Sequence, residues 1–388
     1  MRKVVTGGLL SALVALGIGA SAHAQPPIVE QWGKTYAVPV CAPVIGMVAR
    51  CVSHIVTDST GKVLTGRAPI GGFDPAELRS AYNITQTGSS STIIAIVDAW
   101  GYPNAESDMG TYRSQWGLPA CTTQNGCFKK LNEHGRPKNY PATNNGWDTE
   151  QALDLDMASA MCPSCTIYLI EANNASFTHL GRAVDEAATL GAHVISNSYC
   201  GDEVRGDRKM AHYYDHAGVA ITAANGDDGY GLCAPADMPT VIAVGGTHLT
   251  TDNNARGWNE TVWSGTGSGC SNWFKKPTWQ TDSGCAMRTV GDTSAVADPD
   301  TGVAIYHGGW GIVGGTSVAT PLVGGIFAVN GGTVNAASTI YAAPASDLND
   351  VTTGSNGTCS PAYLCNGEVG YDGPTGMGTP NGIGAFGN

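Results

Sequence analysis

One stretch of the 388-residue sequence governs the fold prediction: Gly314-Gly315-Thr316-Ser317-Val318-Ala319-Thr320-Pro321. Apolar and small residues continue beyond the turn, which predicts a tight loop entering a buried helix. Ser317 would lie at the helix N-terminus, where free N–H groups and the helix dipole favour a developing negative charge. That position suits a nucleophilic serine beside an oxyanion, but most Gly-Thr-Ser turns only cap a helix. The stretch alone leaves both interpretations open.

The region before this stretch alternates apolar runs with helical patterns. Near-continuous apolar runs predict strands at residues 92–98, 166–171, 193–198, 219–224 and 240–246. Helical patterns predict helices at residues 103–118, 146–158 and 177–190. An earlier helix start is Asp74-Pro75-Ala76-Glu77, with a capping aspartate and a proline in the first turn. Strands alternating with helices indicate an α/β domain with a largely parallel sheet.

Two acidic residues are notable in the predicted helix at residues 146–158. Glu150 and Asp154 are four residues apart and therefore share one helix face. A solvated acidic face is the simpler explanation. However, the neighbouring alanine, leucine and methionine residues leave little polar surface, so a functional carboxylate pair is the second interpretation.

Asp227 follows the predicted strand at residues 219–224 in an Asn225-Gly226-Asp227 turn. Sites in open parallel sheets form beyond the carboxyl ends of the strands, which places Asp227 at a useful edge. A Gly-Asp sequence is more often only a turn, so Asp227 is a candidate functional residue and the plain turn remains the alternative.

The N-terminus has the pattern of a secretory signal. A basic start is followed by an apolar run at residues 9–18 and by Ala22-His23-Ala24, so residues 1–24 are predicted to be a cleaved signal peptide. The apolar run is too short and glycine-interrupted for a membrane-spanning helix. The mature protein is expected to be secreted, into the extracellular space or the periplasm, without a membrane partner.

Composition excludes one class of partner. The formal net charge is −12 and only 13% of residues are charged, which argues against a nucleic-acid-binding protein. The same acidic balance is compatible with work at low pH, where many carboxylates are neutral.

The twelve cysteines fall into close sequential pairs, as expected of disulfides in an exported chain. Pairing of neighbours is the simplest assignment, although the sequence does not fix the connectivity. Cys162-Pro163-Ser164-Cys165 could also be a redox pair or half of a zinc site, but export favours a plain bridge.

Taken together, the pattern resembles the sedolisins, serine-carboxyl peptidases with a subtilisin-like fold. The resemblance covers residues 73–388. It is carried by Thr316-Ser317 with Pro321, by the Glu150 and Asp154 pair, by Gly226-Asp227, and by a C-terminal segment at residues 350–376. It implies a three-layer α/β domain with a largely parallel central sheet flanked by helices. Residues 25–72, which have little regular signal, would be a short leader or a truncated pro-segment.

The resemblance also implies roles for the candidate residues. Ser317 would be the nucleophile, Glu150 its general base, Asp154 the residue that orients and tunes Glu150, and Asp227 part of the oxyanion hole. A carboxylate base stays useful near pH 4, whereas an imidazole would be protonated there. Asp227 can donate to an oxyanion only when it is protonated, so activity should be lost as pH rises. The implied enzyme is therefore a secreted acid endopeptidase, expected to be monomeric, that hydrolyses proteins or peptides through an acyl-enzyme.

Two alternatives remain: a subtilisin-like peptidase with a neutral optimum and a non-catalytic exported binding protein on the same fold. The first needs a histidine where this chain has Trp147-Asp148-Thr149-Glu150. Its first aspartate would be Asp98, which we therefore interpret as structural, and we interpret the nine histidines as surface or packing residues.

The C-terminal segment resembles the calcium site of the family. Asp350 and Asp372 would supply carboxylates to one structural Ca²⁺, and Val351, Glu368 and Gly370 would supply main-chain carbonyl oxygens. Position 368 is usually glycine in the family, so Glu368 places the required backbone angles in doubt. Two further departures are the shortness of residues 25–72, since the family commonly has a long inhibitory pro-segment, and Gly291, where proline is usual.

Overall fold

The computed structural model of the protein describes residues 28–332, 334 and 336–387, and the predicted signal peptide at residues 1–24 lies outside them. The described helices are α1 (Pro75–Ala81), α2 (Ala105–Gln115), α3 (Trp147–Met161), α4 (Phe177–Thr189), α5 (Thr316–Val329) and α6 (Ser338–Ala342). The first ten strands are β1 (Glu30–Trp32), β2 (Thr35–Pro39), β3 (Arg50–Cys51), β4 (His54–Thr57), β5 (Ile93–Ala99), β6 (Phe128–Asn132), β7 (Thr166–Ala172), β8 (Val194–Asn197), β9 (Tyr199–Asp202) and β10 (Ala220–Ala224). The other ten are β11 (Cys233–Ala234), β12 (Ile242–Thr251), β13 (Trp258–Val262), β14 (Gly269–Lys275), β15 (Met287–Val290), β16 (Thr293–Val296), β17 (Val303–Tyr306), β18 (Trp310–Gly314), β19 (Leu348–Asn349) and β20 (Thr379–Pro380).

An eight-stranded sheet forms the centre of the molecule. Its strand order is β13-β12-β10-β8-β5-β7-β6, and β16 also pairs with β12. All of these pairs are parallel except that between β12 and β13. The five strands predicted from apolar runs are β5, β7, β8, β10 and β12, so the predicted α/β class is confirmed.

Helices cover both faces of this sheet. On β5, Ile94 and Ile96 belong to one hydrophobic core with α3 and α5, whereas Ala95 and Val97 belong to a second core with α4. Alternate residues of a strand point to opposite faces, so a strand that is apolar throughout must be buried on both. The result is the predicted three-layer arrangement, with α3 and α5 packed together on one side.

The predicted helix start at Asp74 is confirmed in detail. The Asp74 carboxylate accepts from the backbone N–H groups of Ala76 and Glu77, and the Glu77 side chain accepts from the backbone N–H of Asp74. This reciprocal capping box satisfies donors that the first turn of any helix leaves free.

Residues 28–72 are more regular than the sequence indicated. Strands β1, β2 and β4 join β18 and β17 in a five-stranded antiparallel sheet of order β1-β2-β4-β18-β17, and β3 pairs with β9. The sequence of these residues gave little regular signal, and the structure shows strands there. The strands with which β3 and β4 pair are far away in sequence, so no local pattern predicts these pairings.

Six disulfides join the twelve cysteines, and no free cysteine occurs among the described residues. They are Cys41–Cys51, Cys121–Cys127, Cys162–Cys165, Cys200–Cys233, Cys270–Cys285 and Cys359–Cys365. Neighbour pairing is thus confirmed, and Cys162 and Cys165 form a bridge. Within the described part of the chain, no helix is long and apolar enough to cross a membrane.

We expect Asp74→Ala to lower the free energy of unfolding by about 1 kcal/mol, because two backbone donors of α1 lose their acceptor. Urea denaturation followed by circular dichroism measures this loss. Asp74→Ser keeps an acceptor at the same position and should recover most of it. Equal stability of wild type and Asp74→Ala would contradict the capping argument.

Candidate active site

Ser317 is the second residue of α5 and is fully buried. The preceding Gly315 has φ +124°, and a Cβ there would lie 2.4 Å from the carbonyl oxygen of Val52 and 2.6 Å from Oδ2 of Asp227. Glycine is therefore required twice, for backbone conformation and for close approach. The tight loop predicted before the helix is present, and it brings Asp227 and the backbone of residue 52 to the helix N-terminus.

Pro321 shapes the other side of this turn. It has no N–H, so the carbonyl of Ser317 four residues earlier lacks its helical donor. The Ser198 hydroxyl donates to that carbonyl oxygen at 3.4 Å, and the Ser317 hydroxyl donates to the carbonyl oxygen of Ser198 at 3.3 Å. This reciprocal pair fixes the candidate nucleophile against the segment between β8 and β9.

Glu150 and Asp154 lie in the first two turns of α3 and are both fully buried. The simpler sequence interpretation, a solvated acidic face, is therefore wrong. Asp98, at the end of β5, is equally buried, and its carboxylate has no hydrogen-bond partner among the described residues. Three carboxyl groups thus share one desolvated space between the sheet and α3.

Burial is the main cause of the raised pKa values of these three carboxyl groups. Burial raises the pKa of Glu150 to about 8, although the hydroxyl groups of Ser317 and Ser53 favour its ionised form. Burial also raises the pKa of Asp154 well above its usual range, and the charges of Asp98 and Glu150 raise it further. The pKa of Asp98 is raised by burial and then by Glu150 and Glu171. The cluster therefore retains protons at acidic pH.

Asp227 lies beyond the end of β10, at the N-terminus of α5. Its Oδ1 accepts hydrogen bonds from the backbone N–H and the hydroxyl of Thr316, both at 2.8 Å. Its Oδ2 lies 3.2 Å from Nδ1 of His54. One oxygen is thus held as an acceptor by Thr316, and the other faces the His54 ring.

The structure brings Ser317, Glu150, Asp154 and Asp227 together with three residues to which the sequence analysis gave no role in the site. Ser53 donates a hydrogen bond from its hydroxyl to Oε2 of Glu150. His54 is 3% exposed and contacts a candidate catalytic residue, so its interpretation as a surface or packing residue is incomplete. Asp98 is the third. Only Asp98 had a local signal, because it ends a buried strand.

The candidate calcium residues lie together at a separate corner. Asp372 is buried and accepts from the backbone N–H groups of Glu368 at 3.0 Å and Thr375 at 2.8 Å, while Asp350 accepts from the N–H of Gly370 at 2.9 Å. Glu368 is not among the described residues with positive φ, so its side chain costs no backbone strain. The described residues contain no group of three or more His, Cys, Asp or Glu side chains that could hold a metal ion.

The corner that contains Asp372 also accounts for the glycine at position 291. Its φ is +109°, and a Cβ there would lie 1.8 Å from the carbonyl oxygen of Gly373. Proline, with φ fixed near −65°, could not adopt this conformation.

Comparison with known proteins gives a consistent result. The profile of the subtilase family matches residues 132–339. Kumamolisin from Bacillus sp. (strain MN-32) is 28% identical over 354 residues, which are 80% of this chain and 62% of that protein. Sedolisin from Pseudomonas sp. (strain 101) is 26% identical over 353 residues, which are 79% of this chain and 60% of that protein. The chain thus spans about 60% of the length of these curated relatives.

A solved structure is similar as well. Pseudomonas sedolisin, a serine-carboxyl proteinase complexed with two molecules of pseudo-iodotyrostatin, matches with a TM-score of 0.69 and 26% identity. The match covers 81% of this chain and 96% of that one.

The raised pKa of Glu150 predicts how stability depends on pH. The folded protein binds this proton more tightly than the unfolded chain, so the contribution is complete below the unfolded pKa of 4.5 and is lost as pH rises through about 8. We therefore expect Tm to fall from pH 4.5 to pH 8, and Glu150→Gln to reduce that fall. Differential scanning calorimetry of both proteins in a Ser317→Ala background measures this change in Tm.

Asp215→Asn, which removes an exposed carboxylate outside the site, is the matched control and should leave the slope unchanged. An equal slope with and without Glu150→Gln would mean that Glu150 does not hold the proton.

Proposed function

Because the chain belongs to the subtilase family of serine peptidases and, within it, is a relative of the sedolisins, we propose that it is an acid-acting serine-carboxyl endopeptidase. The observation that carries the proposal is the meeting of Ser317, Glu150 and Asp227 at one short backbone segment. The N–H of Ser317 donates to the carbonyl oxygen of Val52, Glu150 accepts from the Ser53 hydroxyl, and Asp227 contacts His54. Its substrates are proteins or unfolded peptides, and its products are the two fragments on either side of the hydrolysed peptide bond.

In the proposed reaction, the Ser317 hydroxyl attacks the carbonyl carbon of the substrate and Glu150 accepts its proton. The proton then passes to the leaving amine, and water hydrolyses the resulting acyl-enzyme. Asp154, one helical turn beyond Glu150, would orient and tune Glu150. Its own pKa is raised by burial and then by the charges of Asp98 and Glu150.

The oxyanion would be stabilised from two sides. The backbone N–H of Ser317 lies at a helix N-terminus, where a negative charge is favoured. The second donor would be Oδ2 of Asp227 in its protonated form, because Oδ1 is already fixed as an acceptor by Thr316.

These roles impose opposite requirements on two carboxyl groups. The base must lose a proton, whereas the oxyanion donor must keep one, which gives a bell-shaped pH dependence. Burial raises the pKa of Glu150 to about 8. Water that enters with a substrate would weaken this desolvation and lower the pKa of Glu150, which the proposed activity in acid requires.

We also propose that the protein is exported and that it is a monomer. Six disulfides and the predicted signal peptide support an extracellular or periplasmic location. Residues 73–388 are the proposed peptidase domain.

We also propose one structural Ca²⁺ held by the carboxylates of Asp350 and Asp372 and by carbonyl oxygens of Val351, Glu368 and Gly370. The donor chemistry fits, since calcium prefers oxygen. Oδ2 of Asp372 accepts one hydrogen bond and Oδ2 of Asp350 accepts one, so both retain an acceptor position. Burial raises the pKa of Asp372 to about 7 and the charge of Asp350 adds to this, a cost that a divalent cation would offset.

We expect wild-type protein to hydrolyse casein at about pH 3–5, the range near carboxylate pKa values. Ser317→Ala and Glu150→Gln should each lower kcat at least about 1,000-fold without unfolding the chain. Asp156→Asn is the matched control, since Asp156 is an equally buried carboxyl on the same helix that contacts Tyr306 away from Ser317.

Full activity of either catalytic-site variant would refute the assigned roles. Activity only at neutral or alkaline pH would favour a subtilisin-like mechanism. No hydrolysis at any pH by a folded protein would favour a non-catalytic binding protein.

Calcium should raise Tm relative to EGTA, by an amount equivalent to about 2.7 kcal/mol at a hundred times Kd. Asp372→Asn should abolish the difference, and magnesium should not replace calcium. An unchanged Tm on calcium addition to EGTA-treated protein would refute the site without bearing on the peptidase activity.

A further inference from the structure

Asp237 is a buried carboxyl group that the proposed reaction does not use. It lies in the turn after β11, where its backbone N–H donates to the carbonyl oxygen of Cys233 at 3.1 Å. Its side chain is fully buried, and neither carboxyl oxygen accepts a hydrogen bond from an N–H or O–H group of the described residues. An ionised carboxylate in such a place would lack both water and donors, which disfavours the charged form.

The Asp237 carboxyl forms its side-chain hydrogen bond with the carboxyl group of Glu203, the residue that directly follows β9. Glu203 is already an acceptor, because it takes hydrogen bonds from the Ser271 hydroxyl at 2.5 Å and from the side-chain amide of Asn272 at 2.6 Å. The backbone N–H of Asn272 donates to it as well, at 3.1 Å. Two carboxyl groups can bond to each other only when one of them carries a proton, so the proton belongs to Asp237.

The charges around Asp237 favour the same assignment. The titratable groups that face it are Glu203, Asp207, Tyr214 and Arg288. Burial raises the pKa of Asp237 well above its usual range, and the charges of Glu203 and Asp207 raise it further. Asp207 is itself buried, and burial raises its pKa to about 6. Ionisation of Asp237 would therefore add a charge to a space already shared by two acids.

Arg288 is the cation among these four groups, and its charge lowers the pKa of Asp237. Its guanidinium is engaged elsewhere, since two of its nitrogens donate to the two oxygens of Asp292 at 2.7 and 2.5 Å. Within the described part of the chain, Asp292 is the carboxylate with which Arg288 forms an ion pair. An ionised Asp237 attracted to Arg288 is the alternative to a neutral acid, and it predicts the opposite effect of an amide at position 237.

We propose that Asp237 is kept as an uncharged carboxylic acid whose O–H donates to Glu203, and that this pair, here called the carboxyl clamp, makes Asp237 a positioning residue for the candidate active site. The clamp joins the end of β9, the turn after β11 and the start of β14. The hydrogen bond itself is independent of the proposed function, whereas its effect on turnover rests on that function.

Strand β9 connects the carboxyl clamp to the candidate nucleophile. The clamp holds the residue after β9, and β9 pairs with β11 along its length. The residue before β9 is Ser198, which forms the reciprocal hydrogen bonds with Ser317 described above. A restraint at one end of this four-residue strand therefore acts on the residue that fixes Ser317 at the other end.

The sign of the pH dependence tests where the proton lies. The folded protein binds the Asp237 proton more tightly than the unfolded chain, so its contribution to stability is complete below the unfolded pKa of 3.8 and is lost as pH rises toward the raised pKa of the folded state. Over that interval this group raises the unfolding equilibrium constant of wild type by up to about tenfold per pH unit. Asp237→Asn donates from an amide at every pH and should lack this part of the dependence.

We therefore expect the Tm of Asp237→Asn, relative to wild type, to increase from pH 4 to pH 8, as measured by differential scanning calorimetry with both proteins in a Ser317→Ala background. Glu203→Gln places the amide on the other partner and should change Tm in the same direction. Asp237→Ala removes the donor and should have a lower Tm than Asp237→Asn throughout this range. Asp215→Asn, which alters an exposed carboxylate, is the matched control and should leave the pH dependence unchanged.

A Tm difference between Asp237→Asn and wild type that stays constant with pH would overturn the proposal. A difference that falls as pH rises would overturn it as well, because that is the sign required by an ionised Asp237 attracted to Arg288.

Hydrogen–deuterium exchange and casein hydrolysis measure the positioning role. In the Ser317→Ala background at one pH, the amides of β9 should exchange faster in Asp237→Ala, and Asp237→Asn should restore their protection. In the active enzyme at pH 4, Asp237→Ala should lower kcat about tenfold, while Asp237→Asn stays within about twofold of wild type. Unchanged exchange or unchanged kcat in Asp237→Ala would overturn the positioning role. No casein hydrolysis by folded wild-type protein at any pH would refute the proposed function instead, and calorimetry and exchange would still decide the clamp.

Discussion

Desolvation of carboxyl groups is the constraint on which the site depends. Asp98, Glu150 and Asp154 come from a strand end and from one helix face, and their side chains are shut off from solvent. Three ionised carboxylates could not remain together in such a space, so the folded protein favours the protonated form of these groups. The raised pKa values are caused mainly by burial, so they depend on the packing of α3 against the sheet.

The N-terminus of α5 is the second determinant, because three parts of the chain meet there at van der Waals distance. Gly315 leaves room for the backbone of Val52 and for the carboxylate of Asp227, and Thr316 fixes the orientation of that carboxylate. Small residues are required here for contact with backbone, as in sites where a peptide must approach closely. The same geometry that admits residue 52 would admit the backbone of a foreign substrate.

The sequence predicts the central part of this architecture because its signals are local. The capping box at Asp74 lies within four residues, and β5 is recognisable because burial on both faces requires a continuous apolar run. Glu150 and Asp154 share a face by helical spacing alone. Strand β3 and His54 could not be found in this way, since their partners, β9 and Asp227, lie more than a hundred residues away and two residues of strand carry no pattern. Partner choice at such range is decided by tertiary packing.

Strand β4 begins at His54 and lies between β2 and β18, the strand that leads into Ser317. Loss of residues 28–52 would take away β1, β2 and β3 but leave β4 attached to the rest of the chain. One side of β4 would then present unpaired N–H and C=O groups next to the site. An open strand edge can pair with another extended chain, so residues 28–52 protect an edge that a second copy or a bound polypeptide could otherwise cover.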